Sequence, residues 1–184
     1  MTEIKTDFEI RQAEEEDVPE ILELIKALAE FENLSEEVVA TEELLKITLF
    51  GINSPAEVQI AYDKNKTLGF ALYFRTVSTF LGRPGIYLED LYVRESARGK
   101  GVGEALLSRL AQRTREIGGG RLEWSVLNWN KAAIKFYQKM GASPLDEWTM
   151  FRVTGNKLKE LAEEFLISDV FYQISPKRKR VLNC

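Results

Sequence analysis

Three groups of residues in this chain could do chemistry, and one absence limits what that chemistry is. Gly99, Gly101 and Gly103 alternate in "RGKGVGEALL", between an apolar strand pattern and an apolar helix pattern. Two adjacent carboxylates, Glu89 and Asp90, stand in the strand just before them, in "YLEDLYV". Tyr137 lies in "NKAAIKFYQKMGA", spaced three and four residues from Ile134 and Gly141, which puts it on or beside the buried stripe of a helix. The chain has no histidine. That removes the triads of serine and cysteine hydrolases, imidazole-ligated zinc and the usual acid–base group near neutral pH. Proton transfer falls to carboxylates, tyrosine, lysine or water.

Three phosphate-binding designs place glycine at a strand-to-helix turn. A Walker loop needs a hydroxyl after its Gly-Lys pair, and here Gly101 follows Lys100. A dinucleotide fingerprint needs GxGxxG, whereas these glycines are spaced GxGxG. The third design, R-x-x-G-x-G after an extended strand, fits Arg98, Gly99, Lys100, Gly101, Val102 and Gly103. Without Cβ atoms the main chain can approach a pyrophosphate, and N–H groups at the helix start point at its oxygens. Arg98 and Lys100 can add charge, but most of the binding falls to main chain. The competing reading is a helix start that needs glycine for close packing.

The elements that must position these groups follow from periodicity. "FEIRQA" alternates as a strand, and "DVPEILELIKALAEFENL" puts Val18, Ile21, Leu22, Ile25, Leu28 and Ala29 on one helical stripe, with Asp17 expected as its N-cap. A short helix is expected near Thr41. "EVQIAYD" and "TLGFALYFRTVST" read as strands joined by "KNK", and "GIYLEDLYV" as a fourth strand. Strict alternation there puts Tyr87, Glu89, Leu91 and Val93 on one face and Leu88, Asp90 and Tyr92 on the other, so the two acids share one task only if the strand bulges. "GEALLSRLAQRTREI" is a helix with Ala105, Leu106, Leu110 and Ile117 inward, stopped by Gly118–Gly120. "RLEWSVL" is a fifth strand, "NKAAIKFYQKMGA" a helix opened by Asn130, "WTMFRV" a further strand and "NKLKELAEEF" a last helix. This order predicts a mixed α/β domain over residues 8–165, with residues 166–184 as an appended tail.

The bulk properties bound the function. A chain of 184 residues with 45% hydrophobic content fits one domain with a real core. No apolar run reaches the length of a membrane span, and "MTEIKTDFEIRQAEEED" has no signal-peptide pattern, so no membrane partner and a cytoplasmic location are expected. The single cysteine, Cys184, excludes a disulfide framework and a thiolate-metal cluster, and no metal is expected. The net charge is −4, and −8 without the four bases of "KRKR" at 177–180, which argues against nucleic acid as the main partner and favours a cationic one. "KRKR" itself reads as a solvated tail, with a nuclear address or an anionic-surface tether as the other readings.

Together, "FALYF", "YLEDLYV", "RGKGVGEALL", "NWNKAAIKFYQKMGA" and "EWTMFRV", in that order, resemble the GNAT acetyltransferase superfamily and, within it, the spermidine/spermine and thialysine acetyltransferases. The resemblance covers roughly residues 8–165. It implies the GNAT fold, a mixed and mostly antiparallel central sheet flanked by helices, with acetyl-CoA as co-substrate and no metal. It implies that the loop from Arg98 through Gly99, Lys100, Gly101, Val102 and Gly103 to Glu104 holds the pyrophosphate. By the same resemblance Leu91, Tyr92 and Val93 run beside the pantetheine and acetyl groups, and Asn130, Lys131, Ala132 and Ala133 contact the coenzyme. It also implies a homodimer.

A primary amine with a pKa near 10.4 has only about one molecule in a thousand nucleophilic at neutral pH, and restoring the free base costs about 4 kcal/mol. Resemblance makes Glu89 the carboxylate that takes the amine's proton through water and Tyr137 the general acid on the leaving thiolate. The residues alone leave Glu89 and Asp90 readable as a solvated pair, Tyr137 as a core tyrosine with its hydroxyl tied to a carbonyl, and Asn130 as a cap. On the amine side, resemblance implicates Phe31, Glu32, Ser78, Phe80, Glu89 and Asp90. Ser78 and Phe80 stand where the polyamine enzymes carry aspartate and tryptophan, which brings the chain nearer the thialysine-type relatives. The expected function is acetyl-CoA-dependent N-acetylation of a small cationic amine: a polyamine, a short diamine or a lysine-like amino acid. The rivals are a protein lysine or N-terminal acetyltransferase, a non-catalytic acetyl-CoA sensor and, third, a nucleic-acid-binding module.

Overall fold

The computed structural model describes residues 7–64 and 66–174. The chain divides into two compact units, Met1–Gly141 and Ala142–Cys184. The first contains β1 (Glu9–Gln12), α1 (Val18–Glu32), α2 (Glu42–Phe50), β2 (Ala56–Asp63), β3 (Lys66–Ser78), β4 (Arg83–Val93), α3 (Val102–Glu116), β5 (Leu122–Trp124) and α4 (Lys131–Lys139). The second contains α5 (Gly155–Ile174), and the expected limit between domain and tail at 165/166 falls inside that helix. The KRKR segment and Cys184 lie outside the described residues. No helix among the described residues is long and apolar enough to cross a membrane.

Local chemistry sets most helix ends. Thr41 caps α2, its hydroxyl accepting the Leu44 N–H at 3.2 Å. Asn130 caps α4 in the same way, accepting from Ala133 at 3.1 Å. Asp17 departs from the expected pattern: its carboxylate makes no cap bond to α1. It instead receives both Arg11 guanidinium nitrogens, at 2.6 and 2.7 Å, and the Glu14 N–H at 2.8 Å, and this pairing holds its carboxyl below the usual carboxylate range. α1 stops at Asn33, which adopts a left-handed conformation (φ 60°), leaving Phe31 and Glu32 in the last turn.

The strands form one sheet in the order β1-β2-β3-β4-β5, antiparallel except for the parallel pair β4–β5. Side chains on its two faces build two cores. On one face Val58, Ile60 and Phe70 meet Val18, Ile21, Leu22 and Leu24 of α1 and Leu45 and Leu49 of α2. On the other, Ala61, Ala71, Tyr73, Ile86 and Leu88 meet Val102, Leu106, Leu107 and Leu110 of α3, with Phe136 and Tyr137 of α4 alongside. The period-2 alternation of Ile60 with Ala61 and of Phe70 with Ala71 is what feeds both layers. Each fully buried Leu or Ile contributes about 1.5–3 kcal/mol.

Two expectations fail. Residues 148–153, "WTMFRV", form no strand, and Trp148, Met150 and Phe151 are exposed. Alternation specifies a face but not a partner, and a strand exists only where a partner edge accepts its N–H and C=O groups. The strict alternation of β4 also breaks. Leu72 pairs with Asp90 and Tyr73 with Leu88, so Glu89 is the extra residue of a β-bulge. Beyond it the faces exchange: Leu91 and Val93 join Ile86 and Leu88 on the α3 face, while Tyr92 packs with Phe74 and Phe70 on the α1 face.

Candidate active site

At the start of α3, Gly99 and Gly101 have φ of 74° and 82°, and Gly101 is the N-cap. A Cβ added to either would meet no atom within 4 Å. Close packing therefore does not explain these two glycines; the left-handed backbone does, at about 1–2 kcal/mol for any other L residue. A Cβ on Gly103 would make ordinary contacts at 3.7 Å with Phe136 and Val93. The result is an open concavity at a helix N-terminus, where the first-turn amides of Val102, Gly103 and Glu104 have no acceptor within the helix. A pyrophosphate fits this donor set.

Beside this loop the sheet opens. Pairing between β4 and β5 runs from Ile86–Leu122 to Leu88–Trp124 and ends there. From the bulge onward no strand among the described residues pairs with β4 on its β5 side.

Tyr137 packs on Trp124, with ring centroids 4.9 Å apart, and on Phe136 at 5.2 Å. Among the described residues its hydroxyl has no hydrogen-bond partner, so the reading of a core tyrosine tied to a carbonyl does not hold. Burial first, and then the Glu32 charge, push its phenol up to about 12. It stays protonated throughout the neutral range and can act as a donor.

Glu32 at the end of α1 and Glu89 in β4 both act electrostatically on Asp90. The bulge leaves Glu89 exposed and Asp90 half-buried. Burial, then Glu89, then Glu32 push the Asp90 carboxyl up to about 6, and burial raises that of Glu32. The Glu32 charge acts on both Asp90 and Tyr137 and so couples the strand acid to the phenol. Among the described residues no group of His, Cys, Asp or Glu is arranged to hold a metal ion.

The remaining expected residues divide. The Arg98 guanidinium lies over the rings of Phe31 (4.9 Å) and Tyr92 (5.8 Å), and its Nε donates to the Val93 carbonyl at 3.1 Å. It thereby links the glycine loop to the end of α1. Lys100 and Glu104 are exposed at the loop, as are Lys131 and Ala132 at the start of α4, where Ala133 is half-buried. Ser78 is only 3% exposed and its hydroxyl accepts the Leu81 N–H at 3.3 Å, which is turn chemistry. Phe80 is fully exposed beside it. Sequence reasoning missed Trp124, whose ring holds Tyr137, and Trp129, whose ring meets Phe31 at 5.8 Å. The only signal for Trp124 was its place in an expected strand, and for Trp129 its place in "NWNKAAIKFYQKMGA", a motif that carries the family resemblance without assigning the tryptophan a role.

Residues 19–142 match the model of the acetyltransferase (GNAT) family. A thialysine N-epsilon-acetyltransferase of Bos taurus is 38% identical over 168 residues, covering 83% of this chain and 96% of that protein. An L-ornithine N5-acetyltransferase of Arabidopsis thaliana is 32% identical, over 83% of this chain and 86% of its own. Among solved structures, an integron cassette protein from the mobile metagenome of V. cholerae superposes with a TM-score of 0.73 at 30% identity, over 86% of this chain and 99% of that one. With a mixed five-stranded sheet, an opened β4–β5 ladder and a left-handed glycine pair at a helix start behind these matches, the chain belongs to the GNAT acetyltransferase family and is an acetyl-CoA-dependent N-acetyltransferase.

Proposed function

We propose that the acceptor is the terminal amine of a small linear cation, a lysine-like amino acid or a short diamine. The observation that carries this reading is the Glu32, Glu89 and Asp90 cluster beside the Tyr137 hydroxyl, which has no partner among the described residues. Negative charge concentrates an alkylammonium at the site. The same charge also holds the ammonium proton more tightly, so deprotonation needs an acceptor stronger than an ordinary surface carboxylate. Asp90, lifted to about 6, meets that need better than an unshifted carboxyl. Glu89, exposed on the bulge, supplies the relay through water. The relatives named for thialysine and ornithine acetylation support the same class of acceptor; a polyamine is the alternative.

The roles follow from position. The amides at the start of α3 hold the pyrophosphate, with Lys100 adding charge. The stretch Leu91, Tyr92 and Val93, beyond the end of the β4–β5 ladder, runs beside the pantetheine arm. The thioester supplies an acyl group activated toward an amine. The amine nitrogen forms the new C–N bond, the C–S bond breaks, the carboxylate cluster receives the N–H proton, and the Tyr137 hydroxyl hydrogen-bonds and protonates the departing sulfur. With the phenol near 12 and a thiol near 8.5, complete transfer from tyrosine to a free thiolate is uphill by about 5 kcal/mol. Tyr137 therefore acts chiefly while sulfur charge develops, and solvent restores balance afterwards.

Thiol release from acetyl-CoA against spermidine, spermine, short diamines, thialysine, lysine and a lysine peptide tests the proposal, with Tyr137→Phe alongside. Turnover of one small-amine class with loss of rate in the variant supports it. Binding of acetyl-CoA with turnover only of the peptide, or with no turnover, sinks it.

A further inference from the structure

A half-exposed indole stands where the chain turns into α4. Trp129 lies in neither hydrophobic core. Its carbonyl accepts the Lys131 N–H at 2.8 Å, and the Asn130 N–H bonds the Leu127 carbonyl at 2.8 Å. The turn that pins Trp129 is thus the turn that sets the cap of the helix carrying Tyr137. The indole packs on Phe31 in the last turn of α1, with centroids 5.8 Å apart and planes at 50°. Trp129 is 51% exposed and Phe31 40%, and of the two rings it is Phe31 that the Arg98 guanidinium covers. Glu32 follows Phe31 directly, and its charge reaches Asp90 and Tyr137.

Two part-exposed aromatic rings beside a carboxylate cluster suit one ligand chemistry, an alkyl chain that ends in an ammonium. The methylenes lie against the rings, and the cation is drawn to the π faces and the acids. The rings already demonstrate that preference, because the Arg98 guanidinium stands 4.9 Å from the Phe31 centroid.

We infer that Trp129 is a specificity-determining residue of the amine site. With Phe31 it forms the wall that holds the carbon chain of a linear amine, so that its ammonium meets Glu32 and Asp90 and its reacting nitrogen faces Tyr137. The inference rests on the amine-acetylation reading above and names a residue that the reading did not use. It predicts discrimination by chain length, because each added methylene extends the apolar contact with the rings.

Steady-state kinetics of wild type, Trp129→Ala and Trp129→Phe against linear amines of increasing length test it, with acetyl-CoA affinity measured separately by calorimetry. The expected result for Trp129→Ala is a rise of about tenfold in KM for the longer amines, from loss of a cation–π and apolar contact. Its kcat and acetyl-CoA affinity stay within about twofold, and Trp129→Phe restores most of the KM. An amine titration of the wild type with CoA present changes tryptophan emission, and Trp129→Phe diminishes that change, Trp124 beside Tyr137 supplying the remainder. The inference is overturned if Trp129→Ala weakens acetyl-CoA instead of the amine, if KM does not move, or if Trp129→Phe leaves the emission change undiminished. Should Trp129→Ala fail to fold, the phenylalanine variant and the emission titration decide. The two readings fail separately: a panel with no turned-over amine, or an unimpaired Tyr137→Phe, sinks the acetylation reading. An active, Tyr137-dependent enzyme indifferent to Trp129 sinks this inference alone.

Discussion

At the start of α3 the protein offers its ligand main chain, whereas at the ends of α1 and β4 it offers side chains. The first region depends on two glycines in a left-handed conformation with open space around them. The second depends on a bulge that turns Asp90 toward α1 and on Glu32 at that helix's last turn. The glycine loop is local, since a few consecutive residues dictate its φ angles and its donors. The acidic site is assembled from segments far apart in the chain, and its electrostatics exist only after folding. On the proposed reading, a coenzyme common to many reactions is held by backbone and the variable partner by substitutable side chains.

The largest expected effect lies where the two regions meet. Tyr137→Phe removes the proton donor without changing the packing against Trp124 and Phe136, and kcat should fall by about 10²–10⁴ with acetyl-CoA affinity preserved. Single-turnover kinetics with calorimetric binding separates the two parameters. An unchanged kcat would break the link between the halves.

Asp90→Asn sharpens the acidic half. A carboxyl lifted from 3.8 to about 6 on folding opposes folding while it is ionised. Its penalty is absent below about pH 4, grows as pH rises through the window between 4 and 6, and is complete above it. A shift of this size corresponds to about 3 kcal/mol as an upper limit. Urea unfolding should show Asp90→Asn more stable than wild type by about 1–3 kcal/mol at pH 8 and nearly equal at pH 4, together with a lower rate of acetylation. A destabilised variant at pH 8 would contradict the burial argument.

Gly101→Ala addresses the main-chain half. With φ at 82° the substitution should cost about 1–2 kcal/mol and weaken acetyl-CoA about tenfold. Lys100→Ala should weaken it less than Gly101→Ala does. If calorimetry gives the reverse order, charge and not backbone holds the pyrophosphate. The smallest effect expected is that of Asn130→Ala, which loses the cap of α4 and about 1 kcal/mol, seen as a few degrees in Tm with a modest loss of kcat.

What could be read from the chain was what neighbours in sequence decide. Thr41 and Asn130 cap their helices because a side-chain oxygen reaches an amide three residues on. Val18, Ile21, Leu22 and Ala29 of α1 and Leu106 and Leu110 of α3 bury where periodicity put them, whereas Leu24 and Leu107, off the expected stripes, are buried as well and Ile25, Leu28, Ala105 and Ile117 are only half-buried. Gly99 and Gly101 stand at a turn that only glycine enters cheaply. The absence of histidine narrowed the acid–base groups before any coordinate was known.

Only the tertiary structure decided matters that depend on a partner elsewhere. Asp17 left its cap for Arg11 because a bidentate guanidinium outweighs a single amide. "WTMFRV" had the alternation of a strand but forms none, because alternation alone supplies no pairing partner. The bulge at Glu89 arises from pairing with β3, and it put Asp90 near Glu32 by shifting the register of faces by one. The raised Asp90 carboxyl, the Tyr137 hydroxyl with no partner among the described residues and the contact between Trp129 and Phe31 share that origin. Periodicity and capping report forces that act within a few residues, whereas burial, charge coupling and strand register come from segments that folding alone brings together.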